Sequence, residues 1–410
     1  MVNSDDTQRI LIIGGGFGGV SSALALERKR LPRTEITVVS DKSHFEYQPA
    51  LWRAVTGKSP REVCIPLQEV FRDKKINFVR DAIEDIDIHR KIAQGSSGSQ
   101  YHFDYALLAL GSETAYFDIA GLKEFSFGFK SITEALRLKR HIHHLFETCS
   151  ISLQDQEEDL CRMHFVVVGS GASGVEFAGG LAVYAKTLAK HHGVDDKLIT
   201  IDLIEAAPRI LPMFAENVSL RVSTRLRRLG INIFTNRPME KESLEEVKVR
   251  GVAIKTETVI WTAGTKPNSL YQKINGLNFD KKGRVMVDEY LQTEGFPHIF
   301  VVGDGASTKY SGMAQTAIHD GQTVAANIGR SLRGKDLAPY RPKKPYYAIP
   351  VGPGWAAAAI GPITLYGIAG WLVRRIADFR FFSSILPFRK AVAVFREGKT
   401  LCEACEICMP

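Results

Sequence analysis

Two glycine-rich turns, each placed between an apolar strand and a helix, constrain the fold of this 410-residue chain more than any other feature. Both have the spacing Gly-x-Gly-x-x-Gly and follow apolar strands at residues 10–13 and 165–168. One glycine of such a turn permits a tight bend, one leaves room for a pyrophosphate, and one lets the helix pack closely on the strand. A single match is weak evidence, but two matches in this context predict two dinucleotide-binding folds. The six glycines are Gly14, Gly16, Gly19, Gly169, Gly171 and Gly174.

Other strand ends complete the pattern. In each unit, the strand after the glycine-turn helix ends near an acidic residue, Asp41 in the first and Glu205 in the second. Two more apolar strands end at Gly111 and Gly264, where the chain would pass a bound nucleotide. A late strand runs into Val-Val-Gly-Asp-Gly-Ala, with Asp304 at its centre, and would close the first nucleotide fold after the second has been inserted.

The order of these segments predicts an α/β protein with two Rossmann-like dinucleotide-binding domains, one inserted into the other. The first domain is expected in two parts, residues 1–115 and 288–338. The inserted domain is expected at residues 116–287, and a C-terminal region at residues 339–410.

Composition restricts the class of protein. Lys and Arg outnumber Asp and Glu by 53 to 45, and this net charge of +8 indicates an anionic partner. Residues 341–410 hold ten Lys and Arg against four Asp and Glu, so the rest of the chain is nearly neutral and no nucleic-acid partner is expected. Six cysteines in so long a chain do not make a disulfide scaffold, and the first residues lack a signal-peptide pattern. These features favour a cytoplasmic protein.

The two glycine turns, the glycine-terminated strands and the Val-Val-Gly-Asp-Gly-Ala segment resemble flavoproteins of the pyridine nucleotide–disulfide oxidoreductase superfamily. Three further segments, at residues 45–51, 203–212 and 314–321, resemble the type II NADH dehydrogenases, which are single-subunit NADH:quinone oxidoreductases. The resemblance implies FAD in the first domain and NADH in the second. It also implies electron transfer from NADH through the flavin to a membrane quinone without proton pumping.

The resemblance assigns roles to individual residues. The FAD contacts that it implies are Gly14, Gly16, Phe17, Gly19, Asp41, Gly111, Gly303, Asp304, Ala314 and Gln315. The implied NADH contacts are Gly169, Gly171, Gly174, Glu205 and Gly264. The implied catalytic residues are Glu176, Gln315 and His319. No metal site is implied.

Two positions depart from the family pattern. The family's acid at the end of the second strand is Ser40 here, and Asp41 comes one residue later. The second glutamine of the family's Ala-Gln-x-Ala-x-Gln stretch is His319, which can still bond a quinone carbonyl and deliver a proton near neutral pH. Glu205 would repel the additional phosphate of NADPH, so we expect a preference for NADH.

Two other functions stay open. A sulfide:quinone oxidoreductase needs cysteines beside the flavin, and neither Cys149 nor Cys161 matches such a motif. A flavin- and NADH-binding redox sensor that acts through other proteins is the second alternative. Flavin disulfide reductases are excluded because their Cys-x-x-x-x-Cys pair is absent and Cys64 stands alone in that part of the chain.

The C-terminal region contains a stretch without charge, residues 346–373, but its three prolines disfavour a membrane-spanning helix. We interpret this stretch as strands and turns followed by a helix. From residue 365 apolar residues share one helical face, and Arg374, Arg375 and Asp378 are expected elsewhere on the surface. This pattern favours an interfacial helix that docks on anionic lipid at the cytoplasmic face of a membrane, as the resemblance also implies. Packing on the protein itself or in a homodimer stays open. The apolar residues are Leu365, Ile368, Leu372, Ile376 and Phe379.

Two groups of side chains are of types that often bind metals, but we expect no metal at either group. Cys402, Cys405 and Cys408 lack a nearby fourth ligand for zinc or an iron–sulfur cluster, so we expect a reduced thiol segment, with a dithiol relay as the alternative. His141 and His144 share a helix face that we expect to be solvated.

Overall fold

The structure is a computed structural model, and it describes residues 7–149 and 163–398. Two compact units divide the chain. The first unit contains the residues up to Glu46 together with Cys64–Glu113 and Thr265–Pro345. The second unit contains Tyr47–Val63, the described residues of Thr114–Gly264, and residues 346–398.

Strands and helices of the described residues are numbered in chain order. The strands are β1 Gln8–Ile13, β2 Thr34–Ser40, β3 His44–Glu46, β4 Cys64–Pro66, β5 Asn77–Arg80, β6 Ile83–Asp87, β7 Ile92–Gly95, β8 Gln100–His102, β9 Tyr105–Leu108, β10 Ser112–Thr114, β11 His164–Val168, β12 Thr200–Ile204, β13 Ile231–Phe234, β14 Met239–Glu242, β15 Glu246–Val249, β16 Val252–Lys255, β17 Thr258–Trp261, β18 Thr265–Pro267, β19 Gln292–Thr293, β20 Phe296–Val301, β21 Tyr347–Pro350, β22 Ala356–Ile360 and β23 Ile363–Leu365. The helices are α1 Phe17–Glu27, α2 Leu51–Val55, α3 Leu67–Phe71, α4 Leu122–Phe125, α5 Ile132–Thr148, α6 Ala172–His192, α7 Glu216–Arg228, α8 Ala314–Ser331, α9 Ile368–Ile385 and α10 Phe388–Glu397.

A six-stranded sheet organises the first unit, in the order β19-β20-β9-β1-β2-β5. Its neighbours pair in parallel except β19 with β20. The central strands are almost wholly apolar, as expected for parallel strands that are buried on both faces. Helices α1 and α8 approach so closely that a Cβ atom on Gly321 would lie 2.6 Å from the carbonyl oxygen of Gly18. This order places the ends of β1, β9 and β20 side by side.

The second unit contains a four-stranded parallel sheet in the order β13-β12-β11-β17. Helix α6 packs on one face of this sheet through Phe177 and Leu181. The antiparallel sheet β14-β15-β16 packs near the other face, where Val247 and Val249 join the core of Val166 and Ile204. Two parallel sheets, each with its own glycine-turn helix, confirm the predicted α/β class.

The boundaries of the units differ from the predicted domain limits. Residues 265–287 belong to the first unit, because Asn268 N–H donates to the Gly111 carbonyl at 3.1 Å and Val285 forms a bridge with Ala306. The first part of that unit ends at Glu113, and its second part extends to Pro345. The C-terminal segment is part of the second unit instead of a region of its own.

The C-terminal segment forms the antiparallel sheet β21-β22-β23 followed by α9 and α10, which confirms strands and turns followed by a helix. Throughout residues 7–149 and 163–398, every helix is too short or too polar to cross a bilayer. The prediction that Arg374, Arg375 and Asp378 lie on the surface is wrong, because they are only 7%, 8% and 0% exposed. Ile368 and Ile376 are 69% and 65% exposed, so α9 buries its charged face and exposes apolar side chains.

Candidate functional site

The first glycine turn has the geometry that a pyrophosphate-binding loop needs. Gly14 N–H donates to the Val39 carbonyl at 2.8 Å, and Gly14 has φ +116°, a conformation that favours glycine. A Cβ atom on Gly14 would lie 2.3 Å from the Ala109 carbonyl oxygen, and one on Gly19 would lie 1.9 Å from the Gly14 carbonyl oxygen. A Cβ atom on Gly16 would meet no atom within 4 Å. The turn is therefore packed against protein at its first and third glycines and open at its second.

The second glycine turn repeats this arrangement in the second unit. Gly169 N–H donates to the Ile204 carbonyl at 2.8 Å, and Gly169 has φ +99°. A Cβ atom would lie 2.7 Å from the backbone of Ala263 at Gly169 and 1.9 Å from the Gly169 carbonyl oxygen at Gly174, whereas at Gly171 it would meet nothing within 4 Å. Both turns thus fit a dinucleotide pyrophosphate at the start of the following helix.

Glu205 lies beside the second turn. Its Oε2 accepts the Ser170 N–H at 2.9 Å and the Ser170 hydroxyl at 2.6 Å, and its Oε1 accepts the Ala207 N–H at 2.8 Å. A carboxylate has about four acceptor positions, so these bonds orient Glu205 and leave capacity for a ribose hydroxyl.

Ser40 is the counterpart of Glu205 in the first unit, because both residues directly follow the carbonyl that accepts the N–H of the first glycine. Asp41 is exposed one residue further out, with Oδ1 at 3.5 Å from the Ser40 hydroxyl. Ser40 therefore lies beside the first glycine turn at the position where an acid, Glu205, lies beside the second turn.

The ends of β9 and β20 bring further predicted FAD residues together. The Val302 N–H donates to the Leu108 carbonyl at 3.1 Å, which aligns the two strand ends. Gly111 has φ +71° and open space beside its α-carbon, and the Ser112 hydroxyl donates to the carboxylate of Asp304. Gly303 also has a left-handed backbone, with φ +73°. Three predicted residues therefore share one edge of the sheet.

The start of α8 carries the predicted quinone and flavin residues. Ala314 and Gln315 begin the helix, and Gln315 is exposed. One turn later, His319 Nε2–H donates to the Arg341 carbonyl oxygen at 2.9 Å. That bond fixes the ring and leaves Nδ1 as its remaining polar atom.

At the start of α1, Phe17 packs edge-on against Phe45, with ring centres 4.9 Å apart.

Glu176 lies on α6, and its side chain is buried in the second unit. Its Oε1 is 3.3 Å from Arg374 Nη1. Burial raises the pKa of the Glu176 carboxyl to about 7, although the guanidinium groups of Arg374 and Arg53 oppose the shift. Glu176 therefore exchanges a proton near neutral pH, which is the property that an acid–base group needs.

Arg374 also belongs to a buried ion network in the second unit. Its Nε is 2.8 Å from Asp378 Oδ1, and Asp378 Oδ2 is 2.9 Å from Arg53 Nη2. Glu62 Oε1 lies 2.8 Å from Arg53 Nη1 and 3.0 Å from Arg375 Nη1. These pairs hold the pKa of Asp378 down to about 2, despite its burial.

Sequence reasoning missed this network. Hydrophobic periodicity assigns charged residues to the solvent side of a helix, and here it places Arg374 and Asp378 there. Their i, i+4 spacing was the available signal, since such a pair can neutralise itself when it is buried. The spacing could not identify Arg53 or Glu62 as the partners, because they lie more than 300 residues away along the chain.

Other predicted residues have different surroundings. Gly264 lies against the ring of Phe117, with an added Cβ atom only 2.4 Å from it, so protein covers its α-carbon. The prediction of a solvated helix face is wrong for His141. Its Nε2 lies 2.9 Å from the Thr258 hydroxyl, and burial lowers the pKa of its ring to about 4. His144 is exposed. Among the residues that the structure describes, no group of three His, Cys, Asp or Glu could hold a metal ion. The predicted thiol segment and one further cysteine lie outside the described residues, namely Cys402, Cys405, Cys408 and Cys161.

The chain matches the model of the pyridine nucleotide-disulphide oxidoreductase family over residues 8–321. A type II NADH:quinone oxidoreductase of Staphylococcus aureus is 30% identical over 348 residues, which cover 81% of this chain and 84% of the relative. NDH2 from Plasmodium falciparum, solved in complex with NADH, matches with a TM-score of 0.86 at 18% identity, over 96% of this chain and 98% of that chain. The sulfide:quinone oxidoreductase of the hyperthermophilic bacterium Aquifex aeolicus matches with a TM-score of 0.76 at 18% identity, over 92% and 91%. The chain therefore belongs to the pyridine nucleotide-disulphide oxidoreductase family, and within it to the type II NADH:quinone oxidoreductases.

Proposed function

We propose that the protein is an NADH:quinone oxidoreductase that works through bound FAD and pumps no protons. The observation that carries the proposal is the pair of glycine turns, one in each unit, each with its middle glycine against open space. Family membership supports the same activity. Bound FAD would supply the two-electron redox chemistry that connects NADH with a quinone.

In the first unit, the open side of Gly16 and the N-terminus of α1 would hold the FAD pyrophosphate. Asp304 would accept a hydrogen bond from a flavin hydroxyl, and its bond from Ser112 orients the carboxylate for that purpose. Asp41 would contact the ribose of FAD, across a longer distance than an acid at residue 40 would have to span. The remaining proposed contacts are Gly14, Phe17, Gly19, Gly111, Gly303, Ala314 and Gln315.

In the second unit, the open side of Gly171 would hold the NADH pyrophosphate. Glu205 would accept the adenosine ribose hydroxyls, and its negative charge would repel the phosphate that distinguishes NADPH. The proposed contacts are completed by Gly169, Gly174 and Gly264, of which Gly264 is covered by Phe117.

Protons and quinone contacts are assigned to three residues. Quinone reduction consumes two protons, and Glu176 holds one near neutral pH because burial raises its pKa to about 7. Gln315 and His319 are proposed to bond the quinone carbonyls. The Arg341 carbonyl accepts the Nε2–H of His319, so we assign the quinone contact to the protonated ring, in which Nδ1 also carries a hydrogen that it can donate.

Helix α9 is proposed to dock on an anionic lipid surface at the cytoplasmic face of a membrane. Ile368, Leu372 and Ile376 expose apolar side chains on α9, and Arg380 on α9 and Arg389 on α10 are exposed as well. Aromatic and aliphatic groups with flanking arginines suit the headgroup boundary.

Sedimentation with anionic liposomes tests this docking. The double substitution Leu372→Ser and Ile376→Ser is expected to release the full-length protein from the vesicles. Leu220→Ser, which changes an exposed leucine on α7, is the matched control and should bind as the wild type does. Dimer dissociation by the same double substitution would instead assign the face to a homodimer.

Sulfide oxidation is the second candidate function, because the sulfide:quinone oxidoreductase of A. aeolicus shares the fold. Its chemistry requires a thiolate nucleophile. Cys64, the cysteine described in the first unit, has its pKa raised to about 11 by burial and the nearby Glu46. The thiol therefore stays protonated at neutral pH, which favours NADH over sulfide as the electron donor.

An anaerobic stopped-flow experiment on the FAD-loaded protein distinguishes the functions. The proposal expects NADH to bleach the flavin absorbance rapidly and a quinone to restore it. Bleaching by sulfide but not by NADH would indicate a sulfide oxidoreductase. Bleaching by NADH without recovery on adding quinone would indicate a redox sensor.

A further inference from the structure

Asp320 is a fully buried carboxylic acid on α8. Its Oδ2 accepts the N–H of Gly303 at 3.1 Å. The buried hydroxyl of Tyr340 also faces this carboxyl and acts on it as a hydrogen-bond donor. Burying a carboxylate costs free energy, so a carboxylate in this place calls for an explanation.

The segment 336–341, called here the strap, covers Asp320. Asn327 on α8 exchanges two hydrogen bonds with Ala338, at 2.9 and 3.0 Å. His319 bonds the Arg341 carbonyl at 2.9 Å, and the Tyr340 N–H donates to the Glu289 carbonyl at 2.6 Å. The strap is thus bound along α8, where Asp320 is fully buried.

That bond acts on the loop which carries Asp304. Gly303 has a left-handed backbone, with φ +73°, and its N–H donates to a side chain of α8. Asp320 supplies this acceptor from the adjacent helix. The orientation of the next peptide, and with it the position of the Asp304 carboxylate, depends on this bond.

We propose that Asp320 is a positioning residue for FAD: its buried carboxylate holds the Gly303 N–H, and so fixes the loop that presents Asp304 to the flavin. The inference rests on the proposed contact between Asp304 and FAD. The acceptor oxygen is the feature that matters here, because an amide of the same shape can accept the same hydrogen bond.

The groups around Asp320 shift the pKa of its carboxyl in opposite directions. Burial raises the pKa of its carboxyl to about 6, and the neighbouring Asp304 carboxylate adds to the rise. The Tyr340 hydroxyl, the Gly303 N–H and the nearby His319 act in the opposite direction. The chain therefore retains an acid whose ionised form is disfavoured by its surroundings, and carboxyl groups with such shifted pKa values cluster at functional sites.

FAD titration of the apoprotein, followed by quenching of flavin fluorescence, tests the proposal without NADH or quinone. Asp320→Asn retains an acceptor oxygen, and its dissociation constant for FAD is expected within threefold of the wild type. Asp320→Leu has a side chain of the same branching without an acceptor, and FAD binding is expected to weaken at least tenfold. Asp320→Ala, which adds no bulk, should weaken binding in the same way if the leucine variant does not fold. Asp336→Asn makes the same change on an exposed residue of the strap and should bind FAD normally.

Two results would overturn the inference. One is wild-type FAD affinity in Asp320→Leu or Asp320→Ala. The other is an Asp320→Asn variant as weak as these two, since the acceptor oxygen would then not be what matters. Asp304→Ala separates the inference from the assignment on which it rests. Unchanged FAD affinity in Asp304→Ala would remove FAD from this loop altogether, whereas a loss there with unaffected Asp320 variants would contradict the inference alone.

Discussion

Replacement of Arg374 by methionine is the sharpest test of the buried ion network. Methionine keeps an unbranched, flexible side chain, but it is shorter than arginine and carries no charge. The change removes the bonds of Nε to Asp378 at 2.8 Å and of Nη1 to Glu176 at 3.3 Å. It also removes the bond from Nη1 to the Ala348 carbonyl at 3.0 Å.

The expected loss of stability depends on the partners that Asp378 retains after the substitution. Breaking a buried ion pair by removing one partner costs about 3–5 kcal/mol, because the other charge stays buried. Asp378 keeps Arg53 and the hydroxyl of Tyr47, at 2.9 and 2.8 Å. We therefore expect the lower end of the range, a loss of about 3 kcal/mol in the free energy of unfolding. Arg374 is the strongest influence that lowers the pKa of Glu176, so this pKa should rise and the carboxyl should be protonated at neutral pH.

Urea unfolding at pH 7.5, followed by tryptophan fluorescence, measures this loss. Arg380→Met is the matched control, because Arg380 is exposed on the same helix and its replacement should cost less than about 0.5 kcal/mol. Glu176→Gln should lower the free energy of unfolding less in the Arg374→Met variant than in the wild type, since the Glu176 carboxyl has already lost its partner there. An Arg374→Met variant as stable as Arg380→Met would refute the reasoning.

Further predictions concern coenzyme choice, the first glycine turn and pH. Glu205→Gln should raise kcat/KM for NADPH relative to NADH at least tenfold in steady-state assays, because it removes a charge that repels the additional phosphate. Gly19→Ala should yield protein without FAD, since its Cβ atom would lie 1.9 Å from a carbonyl oxygen. Gly16→Ala should fold and bind FAD more weakly, because its methyl group enters open space that the pyrophosphate would use. Asp320→Asn should stabilise the apoprotein increasingly as pH rises from 4 to above 6. The pKa of Asp320 is raised from 3.8 to about 6, so ionisation of the wild-type carboxyl costs stability in that window, reaching about 3 kcal/mol.

Each of these predictions has a contrary result. An unchanged coenzyme ratio in Glu205→Gln would separate this carboxylate from the ribose. Equal FAD contents in Gly19→Ala and Gly16→Ala, measured by absorbance after denaturation, would contradict the different roles of the two glycines. A stability difference for Asp320→Asn that does not vary with pH, measured by thermal unfolding of apoprotein, would show that Asp320 does not titrate in this window.

The local features of both nucleotide folds were predictable from the sequence. The third glycine of each turn is required by a contact with the carbonyl oxygen of the first, so a short segment contains the whole reason for it. The first glycine also meets Ala109 or Ala263, which follow a later strand. The acid at Glu205 and its counterpart Ser40 were identified in the same way, because strand ends and turn spacing place them. The α/β class followed from repetition of this unit.

The C-terminal helix was beyond such reasoning. A periodic pattern predicts which residues share a face, but it cannot decide which face is buried when charged partners arrive from distant parts of the chain. Arg53 and Glu62 make the buried position of Arg374 and Arg375 favourable, and only the folded chain brings them there. The same holds for Asp320, whose acceptor role depends on the left-handed Gly303 opposite it.

The sequence by itself therefore determined the two glycine turns, at which we propose that the dinucleotides bind, and the family to which the chain belongs, because short motifs carry both. The tertiary structure decided which charges are buried and which apolar side chains face outward. It also decided which carboxyl groups titrate near neutral pH. These properties depend on desolvation and on partners far away in sequence, and only the completed packing supplies both.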